Sequence, residues 1–240
     1  MFLNPNLTSA LDRIAERAAD VRRAYTPGAV PTHDDVASPG IISDFTLDPL
    51  AVVAPEGCYF VSRDGDGKRV YTRDGAFSVR DGRLVNAEGQ PILGSKTGDA
   101  ALGDLHIDPI DDVLARVRDL AIGRDGTLSY RREYLDPRSG NRELQRVVVG
   151  TVALARFPAG TRLNARDGSA CTAPANAAPL ISRPEENGFP PLEPMRRERG
   201  RIDVDASLVR LKEAYLAFDA LQAAEAAKGH LGKTAMDLLK

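Results

Sequence analysis

Tyr71-Thr-Arg-Asp-Gly-Ala-Phe-Ser-Val-Arg-Asp-Gly-Arg-Leu-Val-Asn-Ala-Glu-Gly-Gln-Pro-Ile-Leu-Gly94 sets three glycine pairs, Asp74-Gly75, Asp81-Gly82 and Glu88-Gly89, between short β-prone runs. Glycine after an acidic residue takes the positive-φ positions that tight hairpin turns need. The runs between the pairs are Ala76–Val79, Leu84-Val85 and Ile92-Leu93. Closely spaced turns between such runs predict a β-meander.

The same pattern extends on both sides and predicts a β domain over residues 57–171. Expected strands are Cys58–Ser62, Lys68–Thr72, Ala76–Arg80, Arg83–Asn86, Pro91–Leu93, Leu105–Asp108, Asp119–Ile122, Thr127–Arg131, Arg146–Phe157 and Arg162–Asn164. Asp64-Gly65-Asp66-Gly67, Asp125-Gly126 and Asp167-Gly168 mark further turns. The run Val147–Phe157 is the strongest strand, because β-branched residues favour sheet over helix. Val113–Leu120 reads equally as helical turn or strand.

Proline-rich stretches flank this domain. Residues 29–56 hold Pro31, Pro39, Pro49 and Pro55 and read as a linker with one short strand at Gly40–Phe45. Residues 172–201 hold six prolines and read as a second linker, ending in the basic cluster Arg196, Arg197, Arg199 and Arg201, a solvated charged face.

Beyond the linkers the period changes. In residues 1–28, Leu7, Leu11, Ile14, Ala18, Val21 and Tyr25 step by four and three, after an Asn4-Pro5 start and before a Pro27-Gly28 stop. In residues 202–240, Val204, Leu208, Leu211, Tyr215 and Phe218 repeat that spacing, and Gly229 and Gly232 weaken the continuation. The predicted fold is therefore a mostly β central domain between two terminal amphipathic helices. Their matching stripes can pair with each other or with copies in neighbouring subunits.

Composition narrows the function. The chain has 240 residues, 42% hydrophobic and 28% charged, enough to bury a core. A net charge of −2 and 5% aromatics with no Trp give no case for nucleic acid. No run of about 18 apolar residues exists, so no membrane insertion is expected. Asp12, Arg13, Glu16 and Arg17 interrupt any signal-peptide core. Cys58 and Cys171 lack metal or redox spacing and read as small buried side chains. His33, His106 and His230 fall one in each region, which argues against a metal site. Asp64-Gly-Asp-Gly67 lacks the later ligands of a calcium loop. Asp108, Asp111 and Asp112 read as solvated acids. No catalytic motif is present, so no enzyme and no cofactor is expected. Phe77 reads as core, and Arg73 and Asp74 as residues that fix the turn.

The motifs resemble the bacterial flagellar rod and hook family, in this order: Gly57-Cys-Tyr-Phe-Val61, Tyr71-Thr-Arg-Asp-Gly-Ala-Phe77, the hairpins of Asp81–Gly94, Ile122–Tyr130 and Val149–Pro158. Tyr25-Thr-Pro-Gly28 and Glu213–Ala220 are similar to the family's first and last helical segments. The family motif residues here are Tyr71, Thr72, Arg73, Asp74, Gly75 and Phe77.

The resemblance implies an irregular antiparallel β domain and terminal helices that pair as a coiled-coil-like stem. It implies a structural subunit of the basal-body rod, a helical tube that transmits torque, with copies of itself and other rod and hook proteins as partners. It also implies export through the flagellar type III apparatus to the periplasm without a cleaved signal peptide. The assembly residues would be the stripe positions Leu7, Leu11, Ile14, Val21, Leu208, Leu211, Tyr215 and Phe218. The alternative is a stand-alone secreted or surface β binding module of rod-like fold.

Overall fold

The computed structural model describes residues 5–29, 40–96, 101–107, 116–136, 138, 140–166 and 169–238. The chain divides into two compact units. One contains the terminal helices; the other is residues 40–199 together with Thr26–Gly28.

In the helical unit, α1 (Pro5–Arg23) and α2 (Val204–Leu238) pack on each other. Proline at the first helical position of α1 costs nothing, because that N–H has no intrahelical partner. Asp203 caps α2: its Oδ1 accepts the Ala206 N–H at 3.0 Å. Gly229 does not interrupt α2, which runs through it as one helix of 35 residues.

Among the described residues, every strand pairing of the second unit is antiparallel. A six-stranded sheet runs in the order β13 (Asn164–Ala165), β14 (Ala170–Thr172), β4 (Arg69–Thr72), β3 (Cys58–Arg63), β12 (Leu154–Arg156), β15 (Leu180–Ser182). A five-stranded sheet runs β8 (Leu102–Asp104), β7 (Leu93–Lys96), β11 (Arg142–Val152), β10 (Thr127–Leu135), β9 (Arg116–Ile122). Among the described residues three two-stranded pairs complete it: β1 (Ile42–Phe45) with β17 (Arg196–Arg199), β2 (Val52–Val53) with β16 (Glu193–Pro194), and β5 (Ser78–Arg80) with β6 (Arg83–Val85). Phe60, Phe77, Leu84, Leu105, Leu128, Leu154 and Leu192 meet in the main core.

Local turn chemistry explains the meander. Asp81 and Gly82 both have positive φ, at 49° and 73°, the pair of values a two-residue hairpin of matching twist requires. Gly89 has φ 80°, and Asn86 Oδ1 accepts the Gln90 N–H at 2.8 Å to close that turn.

Several elements differ from the sequence expectation. Residues 172–201 are not a linker: they supply β15, β16 and β17, with Phe189 and Leu192 buried in the core. Prolines are tolerated there because these strands are short and lie at sheet edges. The stretch 29–56 contains the expected strand, but Ala51–Ala54 are fully buried core residues rather than linker. Pro31 and Pro39 lie outside the described residues. The expected strand Arg146–Phe157 is two strands in different sheets: β11 ends at Val152 and β12 starts at Leu154, so one apolar run serves both. The expected strand at Leu105–Asp108 lies earlier, at Leu102–Asp104; Leu105 is core and His106 makes an isolated bridge with Arg83. Residues 116–120 of the ambiguous segment are strand. Asp108, Asp111, Asp112, His33 and the Asp167-Gly168 turn lie outside the described residues.

Candidate functional site

The Tyr71–Phe77 motif is a packing hub. Tyr71 is buried and meets Phe157 edge-to-face, ring centroids 4.9 Å apart. Phe77 meets Phe60 the same way at 4.9 Å, in the core position expected of it. The Thr72 hydroxyl lies 2.9 Å from Ser169 Oγ and accepts the Asp74 N–H at 3.0 Å. Asp74 Oδ1 accepts the Ala76 N–H at 2.9 Å, so Asp74 does order the turn; burial holds its carboxyl above the usual range.

Arg73 and Gly75 do something else. Arg73 is 6% exposed and Glu198 4%. Arg73 Nε donates to both Glu198 oxygens at 2.9 Å, and Nη2 to Oε2 at 2.5 Å. Nη1 donates to the carbonyls of Pro55 and Cys58, and Nη2 to that of Ala54. Arg73 therefore ties the Ala54–Cys58 turn to β17 rather than fixing its own turn. A planar guanidinium with five donors suits that task, which lysine cannot perform. The aliphatic stem of Arg73 carries Gly28: a Cβ there would lie 2.8 Å from Arg73 Cγ, and Gly28 has φ +73°. The Tyr25-Thr-Pro-Gly28 motif thus ends against the Tyr71–Phe77 motif.

Gly75 has no positive φ. A Cβ on it would sit 1.8 Å from the Val52 carbonyl oxygen, because Val52 N–H bonds to the Gly75 carbonyl at 3.0 Å. Glycine is needed at this position for close backbone approach.

The basic cluster is paired across the β1–β17 ribbon. Arg199 meets Asp44 at 2.8 Å, Arg197 meets Asp48 at 2.9 Å, and Arg196 donates to Ser43. Glu198 alternates inward to Arg73, so the ribbon has one charged outer face and one anchored face.

In the helical unit the inward positions include Leu7, Ala10, Ile14 and Val21 on α1, with Ala24 just past its end, and Val204, Ser207, Leu211, Ala214, Phe218 and Leu221 on α2. Of the predicted stripe residues, Leu7, Ile14, Val21, Leu211 and Phe218 lie on these inner faces. Leu11 is 44% exposed, Leu208 48% and Tyr215 50%. Small residues one position earlier take the inner sites at those levels, since Ala and Ser let helix backbones approach closely. The large side chains are left at the flanks, where Val209 and Leu216 join them as exposed apolar groups. A groove of about 230 Å³ lies between the two helices, lined by Ser9, Ala10, Arg13, Ala214, Ala217 and Leu221.

Polar candidates elsewhere are satisfied locally. Asp64 Oδ1 accepts the N–H groups of Asp66 and Lys68, and Oδ2 pairs with Arg166 at 2.7 Å. Arg166 and these bonds hold the Asp64 carboxyl below its usual range. That carboxylate closes a turn. Among the described residues no group of three or more His, Cys, Asp or Glu is placed to hold a metal ion, and no helix is long and apolar enough to cross a membrane.

Both cysteines are free. Cys171 is level with Tyr71 on β4, which is level with Val61 on β3, so two strand spacings, about 9.6 Å, separate Cys171 from β3. Cys58 lies three residues further along, beyond disulfide reach. Burial pushes the Cys171 thiol up to about 12.

The described residues form an antiparallel β domain tied together by a buried arginine hub, and a pair of terminal helices with apolar flanks. Residues 56–130 match the family model described as the flagellar hook protein FlgE/F/G D1 domain, so this part of the chain is a D1 domain of the flagellar rod and hook family. That family is structural and non-enzymatic, and the match supports a structural role in the flagellar rod or hook in general. No curated protein matches the chain.

Proposed function

We propose that the chain is a structural subunit of the flagellar basal-body rod, self-assembling with copies of itself and with other rod and hook proteins into a helical tube that transmits torque. The stem helices pair as in a coiled coil, and their exposed flanks pack on neighbouring stems. Export runs through the flagellar type III apparatus, without a cleaved signal peptide, to the periplasm. The observation that carries this reading is the placement of Leu11, Leu208 and Tyr215: large apolar side chains beside a small-residue seam, uncovered in a single copy. A two-helix stem has little core of its own, and neighbours that cover these flanks add the missing apolar burial. Leu7, Ile14, Val21, Leu211 and Phe218 hold the pair together, and the flank residues join it to other copies.

The test is deletion of the gene in its host and complementation with the wild type or with Leu11→Glu. Loss of swimming, with basal bodies stopped at the rod stage by electron microscopy, supports the reading. It is also expected that Leu11→Glu fails to complement while the purified variant keeps a folded β unit. Normal flagella in the deletion strain overturn the rod assignment and make the stand-alone β binding module the better reading.

A further inference from the structure

β9 is an outer strand of the five-stranded sheet, and among the described residues it pairs only with β10. It is seven residues long, and Val117, Arg118 and Asp119 on it are exposed. The other outer strands of the two larger sheets, β8, β13 and β15, are two or three residues long. A short edge offers an incoming strand few backbone partners, whereas a long one is a template for pairing. β9 lacks the lysine and proline that commonly block an edge, and Arg118 is paired with Glu133.

An irregularity sits on that same edge. Ser129 pairs with Ala121 and Arg131 with Arg118, so Tyr130 alone lies opposite both Asp119 and Leu120. Two residues facing one make a β-bulge. Asp119 has φ 51°. Among the described residues, the other non-glycine residues of positive φ, Asp81, Glu185, Asn187 and Met195, all lie in turns. A side chain inside a strand takes this conformation only where its surroundings hold it there. Here Arg131 of β10 meets the Asp119 carboxylate at 2.7 Å, and Leu120, the next residue, packs against the main core.

The bulge divides the edge. A bulged residue is left out of the ladder, and the strand bends and twists more strongly at that point. Residues 116–118 and 120–122 are then two pieces set at an angle, each no longer than β8 or β15. A straight incoming strand can match one piece or the other, but not both. Without Asp119 the ladder would be continuous, with Arg118 still opposite Arg131 and Ala121 still opposite Ser129.

We propose that Asp119 guards this edge: its bulge keeps β9 from pairing with a strand of a second copy of this chain. The guard stands apart from the rod assignment, because it concerns a contact that the chain avoids. Association through the stem flanks leaves it unchanged.

The test is sedimentation of the full chain over a range of concentrations, with amide exchange across residues 116–122 as the local readout and circular dichroism as the check of folding. The variants are deletion of Asp119; Asp119→Gly, which keeps the positive φ without strain; and the deletion combined with Val117→Lys, which puts a different guard on the same edge. The deletion should associate about tenfold more tightly than wild type or better, with exchange across β9 slowed in the associated form. Asp119→Gly should behave as wild type, and Val117→Lys should reverse the effect of the deletion. A folded deletion variant that sediments as wild type does overturns the guard. So does association of that variant without slower exchange in β9, or Asp119→Gly that associates as the deletion does. Where the deletion unfolds the chain, Asp119→Val takes its place and is judged by the same outcomes, since a β-branched residue is disfavoured at positive φ. The wild type supplies a check of its own. Self-association that slows exchange across residues 116–122 overturns the guard without any variant; self-association that leaves these residues unchanged supports it and leaves the stem reading standing.

Discussion

Arg73→Met is the change that tests the β unit most directly. It keeps an apolar stem against Gly28 but removes the guanidinium that donates to Glu198 and to the carbonyls of Ala54, Pro55 and Cys58. A buried carboxylate then loses its counter-charge. Breaking one side of a buried pair costs about 3–5 kcal/mol. In a unit of this size each kcal/mol lowers Tm by about 3 °C, so a fall of about 10–15 °C is expected. Glu198→Gln keeps one acceptor and the shape, so its cost is that of a weakened charged hydrogen bond, about 1.5–3 kcal/mol, or about 5–8 °C. Arg73→Met/Glu198→Leu removes both charges and should recover part of the loss, because no unpaired buried charge remains.

The assay is thermal unfolding followed by tyrosine fluorescence, since Tyr59 and Tyr71 both meet Phe157 in the β unit. Amide exchange supplies the local readout. In Glu198→Gln, protection should fall first across the Ile42–Phe45 and Arg196–Arg199 ribbon, which Glu198 anchors. A Tm within about 3 °C of wild type for Arg73→Met, about 1 kcal/mol by the same scaling, or a double variant no better than Arg73→Met, would refute the hub argument.

Three further outcomes follow from single contacts. Gly75→Ala forces a methyl into the Val52 carbonyl, so the urea midpoint should fall by the equivalent of about 1–3 kcal/mol or more; an unchanged midpoint would mean that the close approach is not needed. Asp64 has a folded-state pKa below its unfolded value, so its stabilisation is present above the unfolded pKa and is lost as pH falls through the folded one. Arg166→Gln should therefore flatten the acid limb of stability between neutral pH and about pH 3, and an unaltered limb would count against the pair. For the cysteines, iodoacetamide at about pH 8 should label half-buried native Cys171 only slowly, because its thiol is pushed up to about 12, and both cysteines should label once the chain is unfolded; rapid native labelling of Cys171 would contradict that shift.

Whatever depends on neighbours along the chain was legible before folding. Asp81-Gly82 makes its hairpin because two adjacent residues must take positive φ, and that requirement is local. The strands at Cys58, Arg69, Ser78 and Arg83, and both helices, were legible for the same reason: side-chain alternation and helical period are written within a few residues. Phe77 as core followed from its place in such a strand run.

What depends on distant partners emerged only with the packed fold. Arg73 and Glu198 are 125 residues apart, and no local pattern joins a motif arginine to a glutamate inside a basic cluster. Gly75 reads as a turn glycine until Val52, on another strand, is seen to need its space. Residues 172–201 look like linker because proline breaks the strand pattern, yet short edge strands accept proline once a sheet is there to receive them. The stem shows the limit most plainly. A heptad spacing is satisfied equally by Leu7–Leu11–Ile14 and by Leu7–Ala10–Ile14, and only the packing of one helix on the other selects the small residue for the inside and leaves the leucine out.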